Sequence, residues 1–273
     1  MKNPAVITLL TDFGTQDTYV GAMKGVILGI NPSANIVDLA HDLPKHDILA
    51  ASFALESAYH FFPAGTIHVA VVDPGVGSKR RALAAQLNNH LFVAPDNGIL
   101  TPILEKRKPK EQVISLENRS FFLPRISGTF HGRDIFAPVA AHLSIGVKLN
   151  AFGPVVTDPV LLPWPKTKQA ANSISGEVIH VDRFGNLVTN ITRNCLVAIG
   201  VNPTGDDKAM TQIGRSRLRE IVGSYSQKRR GQLLAIIGSV DRLEIAVREG
   251  SAASIHRTWR RGTKVTVSKT NNA

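Results

Sequence analysis

The sequence has a single cysteine, Cys195, in 273 residues. One thiol cannot form an internal disulfide, and it cannot supply the cysteine ligands of a structural zinc site. This composition fits a reducing compartment, where proteins are stable without cross-links. Stability must then come from packing, and a hydrophobic content of 43% supplies enough apolar side chains for one large domain or two modest ones.

Long apolar runs are also missing. No run approaches the roughly 18 residues that a membrane-spanning helix requires. The first apolar run, residues 5–10, is too short for a secretory signal peptide before polar residues interrupt it. We therefore predict a cytoplasmic protein.

Acidic residues are scarce beside basic ones, because 21 Asp and Glu face 32 Lys and Arg, which gives a formal charge of +11. Residues 201–273 carry most of this excess, with 14 basic and 6 acidic side chains. Such a region can bind nucleic acid. Its charges are scattered among strand-like segments, however, without interleaved aromatic residues on which bases could stack. This pattern disfavours a nucleic-acid-binding module, which stays an alternative.

Short apolar runs alternate with helical patterns through the first half of the chain. Buried strands are predicted at residues 5–10, 35–38 and 69–72, and apolar residues at helical spacing follow the first two. Asn88-Asn89 predicts a hairpin turn between two further strands. This alternation predicts an α/β domain over residues 1–153, with a parallel-rich sheet and helices on both faces.

Two more helices are predicted near the end of this domain. One begins after the Pro-Asp-Asn-Gly sequence that ends at Gly98 and continues to about residue 105. The other follows residues 128–134 and continues to about residue 145.

The pattern changes after residue 153. Residues 154–172 are rich in Pro, Lys and Thr and are predicted to be an interdomain linker. Residues 173–273 contain short alternating segments, which predict a smaller antiparallel β domain.

Residues 66–81 carry the strongest signal for chemistry. A buried strand ends at Asp73, a Pro-Gly turn follows, and Arg80 comes next. Ligands bind at the carboxyl ends of strands in α/β sheets, so Asp12 after the first strand is expected at the same edge. Asp73, Arg80 and His131 together offer a carboxylate, a fixed cation and a base, which can hold and deprotonate a water molecule without metal. Asp73 could instead satisfy backbone amides in an ordinary turn.

A metal-dependent phosphoesterase is the first alternative. Its ligands would be four side chains of one polar loop: His41, Asp42, His46 and Asp47. No helix fixes their spacing, which disfavours a metal site.

Six sequence blocks resemble the S-adenosyl-L-methionine hydrolases that release adenosine, also called SAM hydroxide adenosyltransferases, which are relatives of fluorinases and chlorinases. The blocks occur in the family's order between residues 6 and 267. They are ITLLTDFGTQDTYVGAMKG, VVDPGVGSKRR, APDNGILT, GTFHGRDIFAP, HVDRFGNLVTNI and IGSVDRLEIAVREGSAA.

The resemblance implies that water-derived hydroxide displaces L-methionine from ribose C5′, with no cofactor. Asp73, Arg80 and His131 match the family's water-handling residues, and Asp12 matches its ribose carboxylate. Residues implied to bind substrate in the β domain are Asp182, Phe184, Asn186, Ser239, Glu244 and Val247.

The resemblance also implies a homotrimer whose sites lie between one subunit's α/β domain and its neighbour's β domain. Relatives that use halide have small hydroxyl or apolar groups around that ion. Asp73 and His131 would stand there in this chain, and a carboxylate repels a halide. Hydroxide is therefore the expected nucleophile.

Overall fold

The computed structural model of the chain describes residues 4–203 and 209–270. By its internal contacts the chain divides into two compact units, Met1–Trp164 and Pro165–Ala273. The division lies inside residues 154–172, the predicted linker. The end of that segment, Lys168–Ala170, is a short strand of the second unit.

The first unit alternates strands and helices along the chain. Its strands are β1 (Val6–Thr11), β2 (Asn35–Ala40), β3 (Ile67–Val71), β4 (Ala82–Leu87), β5 (His90–Pro95) and β6 (Gln112–Ser115). Its α-helices are α1 (Tyr19–Ile30), α2 (Ile48–Ala58), α3 (Thr101–Leu104) and α4 (Ala137–Ser144). A π-helical turn, Gly132–Phe136, precedes α4, and short 3₁₀ turns lie at Tyr59–Phe61, Arg119–Phe121 and Leu149–Phe152.

The strands of the first unit form one sheet in the order β2-β1-β3-β5-β4-β6. The first four of these are parallel, whereas β4 is antiparallel to both of its neighbours. Asn88 and Asn89 connect β4 to β5 with φ values of 50° and 65°, the left-handed conformation of a tight hairpin turn. The parallel strands bring their carboxyl ends to one edge.

Helices cover both faces of this sheet, as predicted. Side chains alternate along a strand, so neighbouring residues enter different cores. Leu9 and Val69 pack on the side of α1 and α4, whereas Leu10 and Ala70 pack on the side of α2 and α3. The uniformly apolar strands are therefore explained by burial on both faces.

The helix predicted from residue 98 to about 105 is shorter in the structure. The side chain of Asn97 donates to the carbonyl of Val72 at 2.8 Å and accepts the N–H of Ile99 at 3.2 Å. Gly98 has φ +91°, which a helix cannot accommodate. These contacts hold a turn, and helical geometry begins only at α3.

The second unit is built on a sheet of short strands. They are β7 (Lys168–Ala170), β8 (Ser173–Val181), β9 (Leu187–Thr192), β10 (Ala209–Ile213), β11 (Ser216–Leu218), β12 (Ile221–Val222), β13 (Leu233–Ile237), β14 (Arg242–Val247) and β15 (Lys264–Lys269). The order is β11-β10-β15-β8-β9-β14-β13-β12, and β7 pairs with β8. The β12–β13 pairing is parallel and the others are antiparallel. One short helix, α5 (Arg193–Ala198), follows β9.

Strands β10, β11 and β12 lie in residues 209–222. The core of the second unit includes Ile174, Leu187 and Ile245, and Ile213 of β10 joins it. Among the described residues, no helix of either unit is both long enough and apolar enough to cross a membrane.

Candidate active site

The carboxyl edge of the first sheet carries the polar residues that we predicted there. Thr11 of β1 lies beside Val71 of β3 in the parallel register. Asp12 follows the end of β1 directly, and Asp73 follows the end of β3 by two residues. The two carboxylates therefore leave the sheet at the same edge.

The turn after Asp73 folds back on itself and brings Arg80 to that carboxylate. The N–H of Val76 donates to the carbonyl of Asp73 at 3.2 Å. Gly77 has φ +76°, and a Cβ at this position would lie 2.3 Å from the carbonyl oxygen of Gly128. The glycine thus lets the turn lie directly against the segment that precedes His131.

Asp73 and Arg80 form a buried ion pair. Arg80 Nε lies 2.9 Å and 3.0 Å from the two carboxylate oxygens, and Nη2 also donates to Oδ2. The side chains are only 5% and 10% exposed, respectively. The guanidinium also stacks over Phe136, with its carbon 5.2 Å from the ring centroid. Separating the two side chains would leave each charge buried without its partner, which costs free energy. The pair is therefore held in this geometry.

His131 completes a line of three groups. Arg80 Nη2 donates to Nδ1 of His131 at 2.9 Å, across 51 positions of sequence. Burial lowers the pKa of His131, and the positive charge of Arg80 lowers it further, against smaller opposite effects of Asp73 and Asp134. The ring is consequently neutral near pH 7.

The hydrogen bond from Arg80 also fixes the tautomer of this neutral ring. A guanidinium can only donate, so Nδ1 is the unprotonated nitrogen and Nε2 carries the proton. A backbone hydrogen bond with Ser127 further favours a proton on the ring. The basic nitrogen of His131 therefore points at Arg80.

Asp134 shapes the segment before His131, a role that the sequence analysis did not assign. Its buried carboxylate accepts the N–H of Ser127 at 2.7 Å and Nε of Arg133 at 2.6 Å. Gly77, Ser127, Gly128 and His131 line a cavity of about 390 Å³ beside these residues. Space for a small molecule thus adjoins the histidine.

Asp12 is held by the loop that follows β2. Its Oδ2 accepts the backbone N–H of His46 at 2.8 Å. His46 has φ +62°, an uncommon conformation for a residue with a side chain. The carboxylate is partly exposed at the sheet edge.

The four residues of the metal alternative have separate surroundings. His41 is buried against Thr11, with Nδ1 2.8 Å from the hydroxyl oxygen. Asp47 caps α2 by accepting the N–H of Ala50 at 3.0 Å, whereas Asp42 and His46 are exposed. Within residues 4–203 and 209–270, no group of three or more His, Cys, Asp or Glu side chains is arranged to hold a metal ion.

In the second unit, the β8–β9 turn is organised by Asp182. Its Oδ1 accepts the N–H groups of Phe184 and Asn186 at 2.9 Å and 2.8 Å. Its Oδ2 accepts the side-chain amide of Asn186 at 2.9 Å. This arrangement leaves Phe184 on the surface, 76% exposed. A large apolar ring held outward by a hydrogen-bonded turn is available to pack on a ligand.

Phe184, Asn186 and Val247 line a cavity of about 410 Å³ together with Tyr225, which the sequence analysis missed. The Tyr225 hydroxyl lies 3.5 Å from Oε2 of Glu244. Burial raises the pKa of Glu244, and the charge of Asp182 raises it further. The predicted residues of the β domain therefore lie near one another, with acidic character.

Ser239 lies in the β13–β14 turn and is exposed. Its neighbour Gly238 is pressed against Glu244, because a Cβ there would lie 1.8 Å from Oε1. This contact connects the Ser239 turn to the acidic group.

The basic segment 228–230 is partly neutralised at the surface of the second unit. Lys228 pairs with Glu220, and Nε of Arg230 lies 3.1 Å from Oε2 of Glu249.

Comparison with known proteins identifies the family. A model of the SAM hydroxide adenosyltransferase N-terminal domain matches residues 7–153, and a model of the C-terminal domain of the same family matches residues 176–265. The chain belongs to the SAM hydroxide adenosyltransferase family. The predicted resemblance is thereby confirmed.

Individual members of this family and its relatives resemble the chain along most of its length. A Thermus thermophilus protein named (R)-S-adenosyl-L-methionine hydrolase is 36% identical over 252 residues, which cover 90% of this chain and 93% of the relative. A fluorinase from Actinoplanes sp. is 28% identical over 73% of this chain and 75% of its own length. A crystal structure of an uncharacterized conserved protein from Thermotoga maritima superposes with a TM-score of 0.89 at 37% identity, covering 96% of this chain and all of that one.

Proposed function

We propose that this chain hydrolyses S-adenosyl-L-methionine to adenosine and L-methionine. The observation that carries the proposal is the buried assembly of Asp73, Arg80 and His131 at the sheet edge that also holds Asp12. This assembly supports the activity because the chain belongs to the SAM hydroxide adenosyltransferase family, whose models match both of its units. A relative with 36% identity is named for hydrolysis of this compound.

The reaction needs a positioned oxygen nucleophile more than an acid. Water-derived hydroxide forms a bond to ribose C5′ while the C5′–S bond breaks and its electron pair returns to sulfur. The leaving sulfur becomes the neutral thioether of methionine, so no proton has to be donated to it. Holding the oxygen in line at about 3–3.5 Å from C5′ can supply roughly 7–11 kcal/mol of the rate enhancement.

The geometry supports distinct roles for the three residues. Asp73 fixes the guanidinium of Arg80 by accepting hydrogen bonds from both Nε and Nη2. His131 is neutral and can take the proton of water. Because its Nδ1 already accepts from Arg80, we infer an exchange: the His131 ring turns from Arg80 to take the proton of water, and the N–H of Arg80, still fixed by Asp73, donates to the new hydroxide.

Substrate contacts follow from the same reasoning. Asp12 accepts the two ribose hydroxyls through its partly exposed carboxylate. In the β domain, exposed Phe184 packs on the adenine, and Asn186 and Asp182 contact the adenosine and methionine portions. Ser239 contacts the methionine carboxylate, while Glu244 and Val247 lie around the adenine. These assignments rest on the matched positions and on the clustering of the residues.

A product analysis in heavy-oxygen water tests the proposal. The label is expected in the 5′-hydroxyl of adenosine, and activity is expected to survive EDTA because the proposed chemistry uses no metal. Both configurations at the sulfonium sulfur should be assayed separately, since the named relative specifies the (R) form. Adenosine without label, or activity lost with EDTA and restored by zinc or manganese, would contradict the mechanism.

We further propose that the protein is a cytoplasmic homotrimer whose sites combine residues of adjacent subunits. A closed ring with head-to-tail contacts would generate such sites. Subunits with Asp73→Asn are mixed with subunits carrying Asn186→Ala after reversible dissociation. Random reassembly in equal amounts should leave about a quarter of the sites intact. No recovery, with subunit exchange verified by mass spectrometry, would place each site within one chain.

A further inference from the structure

A buried histidine links the end of β2 to the end of β1, immediately before Asp12. His41 is only 5% exposed, and its Nδ1 lies 2.8 Å from the hydroxyl oxygen of Thr11. Thr11 is itself fully buried and is the last residue of β1. The side chain of His41 therefore reaches the backbone segment that carries the proposed ribose ligand.

An irregularity in β2 places His41 in this position. The β1–β2 register advances by one residue on β1 and two on β2 between the Leu9–Asp38 and Leu10–Ala40 pairs. Such a bulge changes the face to which the following side chains point. Asp38 and His41 would lie on opposite faces of a regular strand, but here Asp38 Oδ1 lies 3.0 Å from Nε2 of His41.

The charge on the far side of the ring sets its hydrogen-bonding pattern. The Asp38 oxygen near Nε2 favours a proton on that nitrogen, and in the tautomer protonated there Nδ1 accepts from the Thr11 hydroxyl. The Thr11 oxygen in turn accepts the N–H of Phe13 at 3.3 Å. Lys24 Nζ holds the other oxygen of Asp38 at 2.6 Å. A continuous chain of polar contacts thus runs from Lys24 to the backbone on both sides of Asp12.

Two hydrogen bonds from backbone groups of the loop after β2 also hold residues 12–14. The carbonyl of His41 accepts the N–H of Gly14 at 2.8 Å. The N–H of His46, five residues farther along the loop, donates to Asp12 Oδ2 at 2.8 Å. The loop after β2 therefore holds residues 11–14 at three points, and the His41 side chain makes the buried one.

We propose that His41 is a positioning residue that fixes the Asp12 carboxylate for the ribose hydroxyls. The proposal rests on the proposed function, because it takes Asp12 as the ribose ligand. A carboxylate on a mobile turn would have to be ordered when substrate binds, and that ordering weakens affinity. The buried contacts of His41 remove this cost before binding.

Two variants remove the link from opposite ends. Thr11→Val deletes the hydroxyl with little change in shape, and His41→Asn removes the contact with Asp38. Each is expected to weaken adenosine binding about tenfold by calorimetry, the effect of losing about one hydrogen bond of 1.4 kcal/mol. KM should rise similarly with little change in kcat, since a ribose contact stabilises ground and transition states alike. If His41→Asn does not fold, Thr11→Val alone reports on the link.

The same strand supplies a matched control. Thr8 and His68 form a second buried pair, with the hydroxyl oxygen 2.7 Å from Nδ1, in the interior of the sheet. Thr8→Val removes the same kind of hydrogen bond from β1, three residues before Thr11. It is expected to leave adenosine affinity unchanged, so an equal loss in this variant would assign the effect to general loosening of the strand and overturn the proposal.

A cycle with Asp12→Ala separates positioning from a purely structural role. If His41 acts through Asp12, Thr11→Val and His41→Asn cause no further loss of affinity once the carboxylate is gone. An equal loss in both backgrounds would overturn the proposal. If Asp12→Ala itself leaves adenosine affinity unchanged, the ribose assignment fails and this proposal with it, whereas labelled adenosine from the product analysis would still support hydrolysis.

Discussion

The carboxylates of the two units have opposite electrostatic surroundings. Asp73 in the first unit is buried and paired with Arg80 through both oxygens. In the second unit, burial raises the pKa of Glu244, and the charge of Asp182 raises it further. The charge of Asp73 is neutralised by Arg80, whereas the negative charge of Asp182 adds to that of Glu244.

Under the proposed function, this difference corresponds to a chemical role for Asp73 and a recognition role for Asp182 and Glu244. A carboxylate locked to a guanidinium holds its partners in one geometry, as a reaction centre requires. The charge of Asp182 acts on Glu244, and under the proposed function this acidic character suits S-adenosyl-L-methionine, which carries a sulfonium and an ammonium group. The pairing of Asp73 also bears on the halide argument, because Arg80 neutralises much of the charge that would repel chloride or fluoride. Preference for hydroxide must then rest more on His131 as a base.

The largest expected effect tests this division directly. Asp73→Asn should lower kcat by about 10²–10⁴ because the base and the guanidinium lose their alignment. Adenosine affinity, measured by calorimetry, should stay within a few-fold of the parent value. Asn186→Ala should show the reverse pattern, with weaker binding and a smaller change in kcat. A reversal of these two patterns would break the comparison.

The ion pairs of the two units should differ in stability as well. Asp73→Asn leaves the Arg80 guanidinium buried without its carboxylate and should lower the free energy of unfolding by about 3–5 kcal/mol. Adding Arg80→Gln should restore part of the loss. The exposed pair of the second unit, Arg193 with Asp241 at 2.7 Å, is the control, and Asp241→Asn should cost less than about 1 kcal/mol. Urea denaturation measures all four proteins, and equal losses from the two single variants would contradict the burial argument.

Acid should affect the two units with opposite sign. Burial, aided by His90, lowers the pKa of His68 to about 3 from 6.5. Below pH 6.5 the His68 ring is protonated in the unfolded chain but stays neutral in the folded protein. The folded state therefore loses stability as pH falls below 6.5. The loss at pH 4.5 is about 2–3 kcal/mol. The raised pKa of Glu244 acts oppositely, because its contribution is present at low pH and lost as pH rises through that pKa.

Hydrogen exchange followed by mass spectrometry resolves the two effects. Peptides from β3 should lose protection between pH 6.5 and 4.5, and peptides from β14 should not lose it through Glu244. His68→Gln should remove most of the pH dependence in β3. Uniform behaviour of both peptides in the parent protein would show that these two groups do not set the acid response.

The smallest expected effect concerns the titration of His131. Arg80 lowers the pKa of this ring and Asp73 raises it, although burial is the largest influence. Arg80→Gln should therefore raise the pKa of His131, and Asp73→Asn should lower it further. NMR titration of the ring proton measures both shifts. Shifts of the same sign would show that the line of three groups does not exist in solution.

Several structural features followed from the sequence because they depend on local patterns. Apolar runs indicated the strands of the first unit, and Asn88-Asn89 indicated a turn whose φ values are positive. The helix predicted after Gly98 is present but shorter, because the side chain of Asn97 donates to the carbonyl of Val72, just after β3, and holds a turn before α3. Tyr225 escaped notice since its segment is short and irregular, with no periodic pattern.

The sequence by itself determined the strand–helix alternation, the change in composition and hydrophobic pattern after residue 153, and the motifs that indicated Asp73, Arg80 and His131. These properties are written in neighbouring residues, where burial and turn preferences act locally. Only the tertiary structure decided that Arg80 donates to His131, which fixes the ring's neutral tautomer. It also decided that a bulge in β2 turns His41 toward Thr11. Contacts between distant segments depend on strand order and register, which no single stretch of sequence contains.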